Sequence, residues 1–96
     1  ATPCMVALME GAACEAIAAC MGDDKTSVGT ELNISHISAT PVGLEVRAEA
    51  EVIAVEGKII TFQVTAYDEA GKIGEGTHKR CIVSSQRFLD RTYAKL

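Results

Sequence analysis

The sequence predicts a single α+β domain, residues 1–96, in which one apolar helix is wrapped by an antiparallel sheet. Three observations lead there. The chain opens on a stretch of helix-forming, almost wholly apolar residues. The apolar period then changes from 3.6 to 2, and the segments of period 2 are joined by short connections. Short connections make successive strands antiparallel neighbours. A meander of four such strands has one apolar face to cover, and the helix is the available cover, so the strands should curl around it.

The helix is expected over residues 3–21, PCMVALMEGAACEAIAACM. Ala, Met, Leu and Glu are good helix formers. Pro3 suits a first helical turn, and Thr2 stands where an N-cap would. With only Glu10 and Glu15 charged, the helix reads as buried on nearly all sides. Gly22 and the Asp23-Asp24-Lys25 cluster end it. The first strand follows at 26–38, with Val28, Thr30, Leu32, Ile34 and His36 on one face, and Thr40-Pro41-Val42-Gly43 reads as a turn. Residues 44–55 set Leu44, Val46, Ala48, Ala50 and Val52 against Glu45, Arg47, Glu49 and Glu51, a strand with one wet face. Its phase slips at Ile53, which predicts a bulge. Glu56-Gly57 is a hairpin signal. Residues 58–67 place Ile60, Phe62, Val64 and Ala66 on one face, Asp68 to Gly71 turns the chain, and 72–83 form the last strand. The tail from Ser84 to Leu96 reads as a short helix.

Composition narrows what such a domain does. A chain of 96 residues buries one small core and is often helped by association. Apolar residues make up 48% but aromatics 4%, with no Trp, so the core must be Ala, Val, Ile, Leu and Met. No apolar run reaches the ~20 residues that cross a bilayer, and no secretory pattern is visible. The cysteines, at 4, 14, 20 and 81, have neither C-x-x-C spacing nor a histidine at metal-ligand distance. Neither zinc nor a disulfide scaffold is therefore expected, and the cysteines read as small buried hydrophobes in a reducing, cytoplasmic setting. The net charge of −4 argues against nucleic acid as a partner. It is unevenly spread: residues 1–71 carry eleven acids and three bases, residues 72–96 six bases and two acids. The cationic end is a candidate phosphate site, beside the plain reading of a solvated basic tail.

Two residues stand out chemically. Glu10 is a carboxylate in the middle of an apolar helix. Burying it unpaired is costly or raises its pKa strongly, so it lies on an exposed stripe, bonds a neighbouring backbone group, or has a chemical task. His78, in GEGTHKR (74–80), alternates in phase with Gly74, Gly76, Arg80 and Ile82. Two glycines on that face leave an open groove for a ligand chain, and a histidine beside it can act as general base near neutrality. His36, in phase with Val28, Leu32 and Ile34, reads as structural or interfacial.

Three stretches resemble one known family: ATPCMVALMEGAACEA at 1–16, SVGTELNISHISATPVG at 27–43 and IGEGTHKR at 73–80. In this order and at this spacing, over most of residues 1–90, they resemble the hotdog fold and, within it, the fluoroacetyl-CoA thioesterase type of acyl-CoA thioesterase. The resemblance implies a long central helix wrapped by a curved antiparallel sheet, and a preceding strand that is missing ahead of Thr2. It implies hydrolysis of a short-chain, fluoroacetyl-like acyl-CoA to free acid and coenzyme A. The threonine, glutamate and histidine of such a site fall on Thr2, Glu10 and His78. Gly74 and Gly76 would then flank the thioester, and Lys79, Arg80 and Arg87 would be available to the coenzyme A phosphates. No metal and no cofactor beyond the coenzyme A of the substrate are implied, and no nucleic acid or membrane partner. Sites at the interface of a homodimer or larger homo-oligomer are. The alternative is a non-catalytic acyl-CoA binding module of the same fold. A hotdog hydratase fits less well, because this helix contains no Asp or His.

Overall fold

The computed structural model describes residues 1–96 as α1 (Thr2–Ala18), β1 (Lys25–His36), β2 (Arg47–Glu56), β3 (Ile59–Asp68), β4 (Gly71–Ser84) and α2 (Ser85–Tyr93). The elements occur in the order the sequence predicts. Their arrangement differs in one respect. The four strands form one antiparallel sheet in the order β1-β4-β3-β2. Strands β2, β3 and β4 are the expected meander, but β1 is not beside β2. It pairs along β4, from Lys25 opposite Ser84 to His36 opposite Gly74. Residues 37–46 carry the chain from one edge of the sheet to the other. The start of that link is pinned by the N–H groups of Ile37 and Ser38, which donate to the Ile73 carbonyl at 2.7 and 3.1 Å.

The core lies between α1 and one face of the sheet. Strand β3 supplies Ile60, Phe62, Val64 and Ala66, all buried, as its alternation predicts, and Phe62 corrects the expectation of a core without aromatics. The helix supplies Met5, Met9, Ala13 and Ile17. Fully burying a side chain such as Phe62 or Met9 stabilises by about 1.5–3 kcal/mol. These four helical residues recur every fourth position, so α1 buries a single stripe. The expectation of a helix buried all round is corrected: Leu8 is 44% exposed. The cysteines change with it. All four are free, but Cys4 and Cys20 are exposed and Cys14 and Cys81 half-buried, because none lies on the buried stripe or the inner face of β3. The helix also ends sooner than residue 21. The N–H groups of Cys20 and Met21 bond the carbonyls three residues back, a tighter turn that closes α1 at Ala18.

Three bulges shape the sheet. The one expected at Ile53 is present, with Val52 opposite Phe62 and Ala54 opposite Thr61. Two others were not foreseen, at Thr30 in β1 and at Ile73 in β4. The Thr30 bulge shifts the phase of β1, so that Ser27 and Gly29 oppose Ile82 and Arg80 on the helix side and Val28 turns to the other face with Cys81. The turns at 40–43 and 56–57 use Gly43 at φ 106° and Gly57 at φ 60°, a conformation side chains disfavour. Helix α2 packs no buried residue. No helix is long and apolar enough to cross a membrane.

Candidate active site

Thr2 is the first residue of α1, and the N-cap position belongs to Ala1, with no side-chain cap. The Thr2 hydroxyl is therefore not engaged in capping. It makes a 2.7 Å hydrogen bond with Nδ1 of His36. His36 ends β1, and the pairing of β1 with β4 sets it opposite Gly74. Gly74 in turn lets α1 come close, because a Cβ there would overlap the Met5 thioether. With its ring proton on Nε2, His36 accepts the hydroxyl proton at Nδ1. The pair sits beside a cavity of about 80 Å3 lined by Cys4, Met5, Leu8, Val46, Ile73 and His36 itself. Pro3 has no N–H, and those of Cys4 and Met5 donate to the Ala1 carbonyl at 3.1 and 3.2 Å. The Thr2 amide is the donor left over where the helix dipole favours negative charge.

A second cluster lies further along the helix. Glu10 is eight residues beyond Thr2, ~12 Å along the helix axis. Its Oε2 stands 3.5 Å from Nη1 of Arg80, which is 6% exposed. Arg80 is fixed on three sides. Its Nε donates to the Ser27 hydroxyl at 2.9 Å, Nη2 to the Ser27 carbonyl at 3.0 Å, and Nη1 faces His78 Nε2 at 3.2 Å. A guanidinium cannot accept, so His78 Nε2 must hold the lone pair and Nδ1 the proton, which goes to the Glu31 carbonyl at 2.9 Å. His78 also stacks on Phe62, with ring centroids 6.2 Å apart. Gly29, opposite Arg80, leaves room for the cluster: a Cβ there would lie 3.1 Å from Glu10 Oε2 and 3.2 Å from His78 Cε1. Every buried side-chain polar atom has a partner, the condition under which a buried ion pair is tolerated.

These positions revise the residue roles. Thr2 and Glu10 fall in different clusters of one copy. His78 is fully buried with both ring nitrogens engaged, so it is not open to a substrate, and four residues of β4 place it roughly 13 Å from the Gly74 row where Thr2 and His36 meet. Gly74 and Gly76 do not border an open groove. Met5 fills the space at Gly74, and the β1 backbone at Asn33 and Ile34 fills it at Gly76. Lys79 lies 3.8 Å from Glu31, and Arg80 is taken up by Glu10 and Ser27. Arg87 remains unpaired, on a groove with Lys25, Lys58 and Arg91. Sequence reasoning missed His36, Ser27 and Gly29 as site residues. A glycine inside a strand pattern was a readable signal for Gly29; the other two depend on which strand β1 pairs with. No three His, Cys, Asp or Glu side chains gather as a metal cluster.

A family model described as fluoroacetyl-CoA-specific thioesterase matches residues 1–86. The fluoroacetyl-CoA thioesterase of Streptantibioticus cattleyicolor is 40% identical over 88 residues, which are 92% of this chain and 63% of that protein. The chain thus spans less than two thirds of that relative's length. The solved structure of the fluoroacetyl-CoA thioesterase FlK is similar with a TM-score of 0.96 at 38% identity, covering all of this chain and 71% of that one. A hot-dog-like protein from Thermanaerovibrio acidaminovorans, 22% identical, has a TM-score of 0.93 over all of this chain and 71% of its own. The architecture is that of the hotdog fold.

Proposed function

The chain belongs to the fluoroacetyl-CoA-specific thioesterase family, and from that we propose that it hydrolyses a short-chain, fluoroacetyl-like acyl-CoA to free acid and coenzyme A, with Thr2 and His36 at the bond that breaks. The observation that carries this is the 2.7 Å hydrogen bond between the Thr2 hydroxyl and His36 Nδ1 beside a small apolar cavity. A hydroxyl held by an imidazole is an activated nucleophile. His36 takes the Thr2 proton as Oγ1 bonds the thioester carbonyl carbon. The carbonyl oxygen becomes an oxyanion near the helix start, where the Thr2 N–H and the helix dipole favour it. The C–S bond then breaks, and the proton on His36 passes to the departing thiolate of coenzyme A. Water, deprotonated by the same histidine, hydrolyses the acyl ester and returns Thr2.

Glu10 does not reach that carbonyl from the same helix, since ~12 Å separate it from Thr2. It fits the reaction when a second copy lays its α1 alongside in the opposite sense, and the groove along α1 at Ala7, Leu8, Gly11 and Ala12, bordered by Ala48 of β2, supports such a homodimer. The Arg80 and His78 cluster then holds Glu10 in place for the neighbouring site. Arg87 is, of the cations the sequence singled out, the one left unpaired for the coenzyme A phosphates. This route calls on no metal and no cofactor beyond coenzyme A itself, and four free cysteines fit a reducing cytoplasm.

The test is release of free coenzyme A from acetyl-, fluoroacetyl-, branched short-chain and phenylacetyl-CoA. Wild type should turn over one of the short acyl groups, and Thr2→Ala and Glu10→Ala should each lose ~100-fold or more. Binding of coenzyme A with no release from any thioester would replace this reading by that of a binding module.

A further inference from the structure

Four cations meet at the end of the sheet away from Thr2. Lys25 begins β1, Lys58 stands in the turn between β2 and β3, and Arg87 and Arg91 lie one turn apart on α2. They line one groove together with Ile82, Val83 and Phe88. Backbone bonds build it: the Ile82 N–H donates to the Lys58 carbonyl and the Ser85 N–H to the Asp24 carbonyl, both at 2.9 Å. None of the four cations pairs with a carboxylate, and no acidic residue lines the groove. That is unusual in a chain of net charge −4. Like charges four apart on a helix repel, and adding two more from other elements deepens the positive potential that an anion would neutralise. Phe88, 39% exposed, sets an aromatic face among them.

Guanidinium and ammonium groups around an aromatic face are the chemistry that holds a nucleotide: cations on the phosphates, a ring under the base. We propose that this groove binds a phosphorylated nucleotide, with Lys25, Lys58, Arg87 and Arg91 on its phosphates and Phe88 against its base. Two sources share that chemistry. Ten residues of β4 separate Ser84 here from Gly74 at the Thr2 end, roughly 33 Å along the strand. A coenzyme A whose adenosine end occupies this groove therefore presents its thioester to a second copy; this source rests on the thioesterase reading above. A separate nucleotide does not.

Calorimetric titration of coenzyme A, adenosine 3′,5′-bisphosphate and ATP into wild type and a Lys58→Glu, Arg91→Glu double variant tests the proposal. At least one should bind wild type, more weakly as salt rises, and at least ~10-fold more weakly to the double variant. If the nucleotide is the substrate's own, the variant also raises KM for the acyl-CoA about tenfold, with no such rise for the matching acyl-pantetheine thioester, which has no nucleotide. If it is a separate ligand, ATP binding is lost and KM is unmoved. Absence of nucleotide binding to wild type, or equal binding by the double variant, overturns the proposal. Absence of thioester hydrolysis by wild type instead counts against the thioesterase reading, and the titrations still decide the groove.

Discussion

Arg80 holds Glu10, Ser27 and His78 with one side chain, and each partner has lost water to be there. Truncating it leaves a carboxylate, a hydroxyl and an imidazole lone pair without their donor. Breaking a buried pair in this way costs about 3–5 kcal/mol, and the figure falls toward about 2–3 kcal/mol here because the Glu10 side chain keeps 38% of its exposure. Arg80→Ala should lower the urea midpoint accordingly, and an unchanged midpoint would mean that the cluster is ornamental. Glu10 was legible in the sequence as a carboxylate out of place in an apolar run. Its partner was not, because 69 intervening residues separate the two and no local pattern joins them. The histidines show the same limit. His36 alternates in phase with Val28, Leu32 and Ile34, His78 with Gly74, Gly76, Arg80 and Ile82, and only the pairing of β1 with β4 decides which one meets the start of α1.

The elements themselves are held by short-range chemistry, and there the sequence is readable. The change of period, the bulge at Ile53, the glycine turn at 57 and the inner face of β3 all follow from residues within a few positions of one another. The place of β1 and the Thr30 bulge do not, since both are set by a partner strand about fifty residues away. The turn from β3 to β4 offers a test at this scale. The Asp68 carboxylate accepts from the Thr40 hydroxyl at 2.8 Å and from the Ala70 and Gly71 N–H groups at 2.8 and 3.1 Å. The Thr40 bond first, and the Ala70 bond after it, hold its pKa below the ordinary 3.8. The unfolded chain therefore takes up this proton at a higher pH than the folded one, so the stabilisation is present above pH 3.8 and is lost as pH falls through the depressed folded value. Asp68→Ala should melt below wild type at pH 7, and the gap should close in acid below pH 3.8; a gap that stays constant down to that range would show that the carboxylate's charge is not what ties the link to the turn.

At the scale of the whole molecule, the core is small for the apolar content of the chain. Only 12 of 96 residues are buried, while Leu8, Leu32, Val52, Ile53 and Val55 are between 42% and 63% exposed. Apolar faces of this kind are what the proposed second copy would cover. Sedimentation at micromolar concentration should give a dimer. If the site is shared, mixing Thr2→Ala with Glu10→Ala protein should restore activity, because mixed dimers hold one site with both residues intact; a monomer, or no recovery on mixing, would contradict the shared site. Whether His36 or His78 is the base is decided by comparing His36→Ala with His78→Ala. Turnover of the preferred acyl-CoA is read for each variant per folded molecule, with the folded fraction taken from circular dichroism. His36→Ala should fold and lose ~100-fold or more in kcat/KM, and His78→Ala should be destabilised yet keep its folded fraction active within about tenfold. An active His36→Ala beside a folded, inactive His78→Ala would contradict this assignment and return the base to the buried histidine.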